Sequence, residues 1–236
     1  MVEYSESSEG SAFVFHGTWR DYAPIAFSNL LLTIVTLGVY KFWATARTRR
    51  YLWSQSEFID ERLEWTGTGR ELFFGFLWVL LLFGIPFLFI QFGAQALAMQ
   101  GHVALAGTLS LLAGLVIFYL VGVARFRAIR YRLGRTYWRG IRGGSNIGGW
   151  AYGISYVWKT WLGYFVLGLL IPWSMTRLWN ERWGAMSFGG FEFSSDARSS
   201  GLMKRFLLFY LVPIFAFILI FVVFLSLASS GAMPDS

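Results

Sequence analysis

From Leu72 to Ala124 the chain carries no Asp, Glu, Lys or Arg, and the next stretch, Arg125 to Gly149, carries seven arginines and no acid. About 20 apolar residues cross the hydrocarbon core of a bilayer. The uncharged run therefore predicts two membrane helices, Leu72–Ala98 and Val103–Ala124, joined by the turn Gln100-Gly101-His102. Pro86 predicts a kink in the first. Ala106, Ser110 and Gly114 put small residues on one stripe of the second, where another helix can approach. Phe206 to Ala228 predicts a third span. Two other apolar segments are interrupted. Tyr22–Val39 weakens at Thr36-Leu37-Gly38, ahead of Tyr40, Lys41, Phe42 and Trp43. Trp150–Met175 contains Lys159, Gly163, Gly168 and Pro172.

Between these segments the pattern alternates over short stretches, which predicts strands at the membrane surface. Phe13–Phe15 and Leu63–Trp65 are expected to pair with each other. Thr136–Trp138 leads into a glycine-rich turn, and Met186–Phe193 reads as a hairpin. Residues 1–12 are polar and acidic and are expected to be disordered. They lack the basic start and apolar core of a signal peptide, so the first apolar segment is expected to be retained. Residues 229–236 form a polar tail. The predicted fold class is an α-helical multi-pass membrane protein with short surface β-hairpins.

Composition narrows the function classes. The chain is 56% hydrophobic and 14% charged, with a formal charge of +7, against about 25% charged residues in soluble domains. Seventeen of its 20 basic residues are arginine, and they flank apolar runs. Anionic phospholipid headgroups, rather than nucleic acid, are the expected counter-charge. No cysteine is present, which excludes disulfides, thiol catalysis and cysteine-ligated metal. His16 and His102 stand far apart with no metal set around them. Gly67 and Gly69 lack the third glycine of a dinucleotide loop, and Gly143-Gly144 matches no phosphate loop. No cofactor, metal or enzymatic activity is expected, and the 12 Trp read as interface anchors.

An internal pattern recurs. Trp43, Arg47 and Trp53 follow Gly38 at the same distances at which Trp173, Arg177 and Trp183 follow Gly168, and Phe58 and Phe188 keep the offset. Leu63-Glu64-Trp65 is expected to match Phe191-Glu192-Phe193 after a two-residue shift, which places Glu64 and Glu192 at matching strand positions. The expected organisation is one membrane domain, residues 13–228, made by a degenerate internal duplication of about 13–132 and 133–228. Such duplications often build transporters around the interface between repeats.

Several blocks carry a family resemblance. Phe13-x-Phe15-x-Gly17, Asn29, Thr36-Leu37-Gly38-Val39-Tyr40-x-x-Trp43-Ala44-x-x-Arg47-Thr48-Arg49-Arg50-Tyr51 and Trp138-Arg139-Gly140-Ile141-Arg142 resemble the YjgN-like family of bacterial inner-membrane proteins. The resemblance runs from about Phe13 to Leu227, although the chain is shorter than some members, with one span fewer after residue 201. It implies a multi-pass inner-membrane location and brings no activity.

Arg47, Arg49, Arg50, Arg139 and Arg142 are candidates for headgroup or anion binding, because the guanidinium fork suits phosphate oxygens. The same residues also serve as a positive-inside topology signal. Asn29 and Lys159 are candidate intramembrane polar residues. Buried charge in a span needs a partner or water, whereas a lysine near a helix end snorkels to the interface. Two topologies stay open, five spans, or three spans with Tyr22–Trp43 and Trp150–Met175 re-entering. The favoured function is handling of a small solute or lipid at the repeat interface. The alternative is a membrane scaffold or partner-binding subunit with no transport activity.

Overall fold

The computed structural model describes residues 13–165 and 167–229 of the chain. The expectations for residues 1–12 and 230–236 lie outside them. The described chain forms two compact units. One runs to Gly153 and takes in Ala185–Phe193. The other holds Ile154–Gly184 and the chain from Ser194 onward.

In the first unit, β1 (Phe13–Phe15), β2 (Ser56–Phe58) and β3 (Glu61–Arg62) form an antiparallel sheet with Phe13 opposite Phe58 and Phe15 opposite Ser56. The expected pairing of Phe13–Phe15 with Leu63–Trp65 is therefore corrected. The connection Ile59-Asp60, with Ile59 at φ 63°, is short enough to give the second edge of β2 to β3. Strand β4 (Glu64–Trp65) pairs instead with β5 (Thr136–Trp138), Trp65 opposite Thr136. Beyond β5 the second sheet continues through β6 (Ile141–Gly144), β7 (Ser187–Phe188) and β8 (Phe191–Glu192). The hairpin predicted at 186–193 is present, and so is the strand predicted at Thr136–Trp138, but the turn after it is corrected: Gly143-Gly144 lie in β6, which makes 136–144 a first hairpin. Arg139-Gly140 turns the first at φ 51° and 72°, and Gly189 begins the second turn at φ 59°.

Strands β1 and β2 are separated in sequence by a helix pair, α1 (Trp19–Val35) and α2 (Lys41–Ser54). Thr18 caps α1, accepting from the Asp21 N–H at 3.3 Å. The helix stops at Thr36 because Leu37 and Gly38 take left-handed φ values of 50° and 92°. Helix α2 then runs back along α1. Tyr51 stacks on Tyr22 and donates to the Thr18 carbonyl at 3.1 Å, and Arg47 donates to Ser28 Oγ at 3.0 Å. The segment thus leaves the sheet at Phe15 and returns to the same sheet at Ser56.

Helix α3 (Gly69–Val79) starts against α2, where a Cβ on Gly69 would lie 2.7 Å from the Trp43 backbone. Phe73 and Phe76 then pack on Phe42 with ring centroids 5.6 and 5.2 Å apart. A π-helical stretch, Leu80–Gly84, joins α3 to α4 (Ile85–Met99) immediately before Pro86. Proline has no N–H and crowds the carbonyl four residues back, so the predicted irregularity takes the form of a π turn. After the turn at Gly101, α5 (Val103–Gly134) packs on α4. Ala106 and Ser110 of the small-residue stripe face α4, with Ser110 Oγ donating to Gln91 Oε1 at 3.0 Å. Gly114 faces open space.

In the second unit, α6 (Trp150–Phe165, whose first residues belong to the first unit) and α7 (Ile171–Gly184) make another antiparallel pair. A Cβ on Gly163 would lie 3.0 Å from that of Ser174, and Trp158 packs on Trp173 at 6.2 Å. Helix α8 (Ser200–Ser229) follows, and the Asn180 amide holds the chain before it by bonds to Ser195 and Ala197. Three helical stretches are long and apolar enough to cross a membrane, namely Gly69–Met99, Val103–Gly134 and Ser200–Ser226.

The helix pairs keep one constant offset in residue number. It carries the ends of α2, Lys41 and Ser54, onto the ends of α7, Ile171 and Gly184. The same offset carries Leu37-Gly38 onto Leu167-Gly168, which share positive φ. The ladders agree, because Phe13 opposite Phe58 becomes Gly143 opposite Phe188. The two-residue shift expected after the strands is corrected. Leu63 N donates to Ser56 O at 2.9 Å, and its counterpart Phe193 N donates to Met186 O at 3.0 Å, with the offset unchanged at both atoms. Glu192 thus corresponds to Arg62, not to Glu64. A hairpin of fixed length leaves no room for the extra residues that the shift required.

Candidate functional site

Helical spacing aims Asn29 of α1 at α2. It is buried, and its Nδ2 donates to the Ala44 carbonyl at 3.4 Å and to Thr48 Oγ1 at 3.3 Å. Thr48 in turn meets the Tyr22 hydroxyl at 3.4 Å. The Asn29 Oδ1 atom is buried with no hydrogen-bond partner. A buried amide oxygen without a donor is unfavourable by about 1–3 kcal/mol, so this centre is incompletely satisfied. Thr33, one turn on along α1, turns its hydroxyl to the Asn29 carbonyl at 2.6 Å.

Lys159 is the counterpart of Asn29 under the constant offset, at the corresponding point of α6. Its ammonium is ion-paired to Glu181 of α7. The lysine side chain is 14% exposed and the glutamate 34%, so the pair is largely withdrawn from water. Lys159 also lies 5.5 Å from the Trp158 ring. The next residue of α7, Arg182, stacks on Trp179 at 5.6 Å and keeps a buried Nε atom with no partner. The sequence reading picked out Lys159 but missed Glu181. The offset between Gly38 and Gly168 pairs Lys159 with Asn29 but gives no sign of Glu181, whose counterpart, Tyr51, is uncharged.

The five candidate anion-binding arginines divide. Arg139 is ion-paired to Asp60, lies 4.0 Å from Glu61 and stacks on Trp138 at 4.9 Å. Its charge is matched within the fold. Arg47 is tied to Ser28, while Arg50 and Arg142 are exposed. Arg49 lies over the Trp65 ring, its Cζ 5.0 Å from the centroid. Burial, and next the charge of Arg132, lower its pKa from the ordinary arginine value.

Sequence reasoning missed the neighbours of Arg49. Glu71 sits in the first turn of α3, where its N–H donates to Thr68 Oγ1. Its carboxylate receives Arg135 Nη2 at 2.9 Å on one oxygen and the Tyr131 hydroxyl at 3.1 Å on the other. Trp65 is 5% exposed, packs edge-on against Tyr131 and Trp53, and has an indole N–H with no acceptor. Among the described residues, no group of three or more His, Asp or Glu side chains is placed to hold a metal ion.

Comparison with known proteins adds a family. The profile described as "Bacterial protein of unknown function (DUF898)" matches residues 10–235. Inner membrane protein YjgN of Escherichia coli O157:H7 is 33% identical over 135 residues, which cover 57% of this chain and 31% of that protein. The protein of the same name from Salmonella typhimurium is 29% identical over 126 residues, 53% of this chain and 30% of its own length. The chain thus spans less than a third of the curated relatives it matches. No solved structure matches it.

Proposed function

Since the chain belongs to the DUF898 family of bacterial proteins, we propose that it works as a multi-pass protein of the bacterial inner membrane and handles a small solute or lipid at polar centres carried by two duplicated, re-entrant helix pairs. The inner-membrane names of its relatives support the location. Three apolar helices supply the spans, and the arginines around them attach the protein to anionic headgroups on the cytoplasmic side. The single observation that carries the reading is the Lys159–Glu181 pair, set between α6 and α7 at the position that Asn29 fills in the other helix pair. Charged groups embedded in membrane segments mark solute and ion paths, and re-entrant backbone persists where protein or a water-filled cavity shields it.

The test uses the full chain reconstituted in liposomes, assayed for transbilayer movement of a fluorescent phospholipid and for currents evoked by inorganic and organic anions and by amino acids. Wild-type protein is expected to respond in one assay, and K159M and N29L to lose that response while remaining folded. Wild-type protein silent in both assays, or variants that change thermal stability alone, would sink the proposal. The second reading, a scaffold or partner-binding subunit, draws on β8, an edge strand with Phe191 78% exposed. A protein that co-purifies in proportion to an intact Phe191 surface, from a chain silent in both assays, favours it.

A further inference from the structure

We propose that one flank of the α4/α5 hairpin is a docking surface for a second copy of this chain, closed by a pair of Gln95 amides across a twofold axis. The surface lies in the first unit, and its occupancy is independent of the Lys159 centre in the second.

A groove of about 420 Å³ runs between α4 and α5, in the half of the hairpin that turns at Gly101. Its floor is small, because Ala94 and Ala106, 3% and 6% exposed, bring the two helices together. Gly107 lies beside them, and a Cβ there would meet nothing within 4 Å. Small residues permit a further helix to approach but do not call for one. The glutamines do. Gln91 and Gln95 stand one turn apart and both line the groove. Gln91 uses its oxygen to accept from Ser110. Among the described residues, its nitrogen and the whole Gln95 amide have no hydrogen-bond partner. Both helices lie in stretches long and apolar enough to cross a membrane. Lipid tails offer an amide nothing to bond, and leaving it open there is unfavourable. Amide side chains in such a setting join one helix to another.

The surface is complementary to itself, which points to a second copy. A primary amide carries both donors and an acceptor, so Gln95 can donate to its own image and accept from it. A twofold contact repeats each pairing in both directions. Phe92, 68% exposed, rises from the rim of the groove within one turn of Gln95. In a twofold pair each Phe92 enters the other copy's groove over Gly107. Leu88, Phe92, Gln95 and Met99 follow one another at steps of four, three and four residues on this side of α4. That is the seam spacing of paired helices, in which one polar residue fixes the register. The groove has no charged side chain, so an ionic headgroup would find no counter-charge in it.

The test is disulfide cross-linking of the full chain in native membranes, where the chain has no cysteine of its own to interfere. Met99→Cys puts a thiol on the seam, at a residue 79% exposed. Gly93→Cys, two residues from Gln95, puts one on the opposite side of α4, where a Cβ would meet nothing within 4 Å. Under mild oxidation M99C is expected to give a cross-linked dimer and G93C to stay monomeric. Added to M99C, Q95L is expected to lower the cross-linked fraction by about three- to tenfold, the worth of one interhelical hydrogen bond in a bilayer. Q95N, which keeps a shorter amide, is expected to lower it less. G107L fills the groove and is expected to abolish the cross-link. Its Cβ meets nothing in its own chain, so it serves as the second variant should Q95L fail to insert. No dimer from M99C, which would mean that lipid fills the groove, overturns the proposal. Equal yields from M99C and G93C, which would mean random collision, overturn it too, as does an M99C yield unmoved by both Q95L and G107L. Because Lys159 lies outside this surface, that failure leaves the transport assay to stand or fall separately.

Discussion

The two helix pairs solve one packing problem with different chemistry. In α1/α2 the central contact is neutral, a buried asparagine amide with bonds of 3.3 and 3.4 Å and one orphaned oxygen. In α6/α7 the same position holds a lysine closed by a glutamate. Glu181 is the counterpart of Tyr51, which in the first pair stacks on Tyr22. One backbone plan thus carries a polar but uncharged centre and a charged one. A neutral centre can be replaced by packing, whereas a largely buried charge is tolerable only with its partner.

The largest expected effect follows from that difference. Glu181→Leu leaves Lys159 uncompensated. Breaking a fully buried pair is destabilising by about 3–5 kcal/mol. Glu181 keeps a third of its side chain exposed, so solvent screening reduces the expected loss to about 2–3 kcal/mol. The double variant K159M/E181L removes both charges and is expected to recover most of the loss. Urea unfolding of all three proteins in detergent checks this. If E181L alone unfolds at the wild-type midpoint, the pair does not hold α6 to α7.

Much of this plan was legible beforehand. The uncharged run, the turn at Gln100–His102, the strand at 136–138 and the hairpin at 186–193 follow from apolar length, alternation and glycine positions, which act locally. The recurring pattern was visible because Gly38 and Gly168 both supply left-handed backbone and because tryptophans keep their distances from them. What escaped were contacts set by tertiary return. Nothing local says that β1 takes Ser56–Phe58 rather than Leu63–Trp65, since only the second stretch alternates apolar with polar residues. That choice depends on α2 running back along α1. For the same reason Lys159 stood out as a lone charge, while Glu181, in the next helix between Arg177 and Arg182, looked like an ordinary surface acid. The Trp65 centre was hidden because its parts come from four elements, α2, β4, α3 and α5.

A medium effect tests whether the pairs are interchangeable. Asn29→Lys introduces a buried charge beside Thr48 and is expected to destabilise by about 2–3 kcal/mol. Adding Tyr51→Glu transplants the second pair's contact into the first and is expected to restore about half of that, since the new partner sits at the position of Glu181. By contrast, Asn29→Leu removes an incompletely satisfied amide and is expected to stay within about 1 kcal/mol of wild type. The measurement is a double-mutant cycle over N29K and Y51E at constant detergent. A coupling energy of zero between the two introduced side chains would mean that the match between the pairs holds for the backbone and not for side-chain geometry.

The smallest effect concerns the turns, where the two pairs should behave alike. Gly38 has φ 92° and Gly168 has φ 80°. A Cβ on Gly38 would meet nothing within 4 Å, so Gly38→Ala acts through backbone conformation alone. The expected loss is about 1 kcal/mol, the usual penalty for alanine at positive φ. Gly168→Ala is expected to give a loss of the same size, although its helix pair is held by a charge contact and the other is not. The reason is that each turn carries its own hydrogen bonds. Lys41 N donates to Gly38 O, and Ile171 N to Gly168 O, both at 3.1 Å. Equal midpoint shifts in paired urea titrations would mean that the turn is a self-contained device common to both pairs. A Gly168→Ala loss several times larger would mean that the Lys159–Glu181 contact depends on turn geometry, and the comparison between a neutral and a charged centre would then have to include the turn.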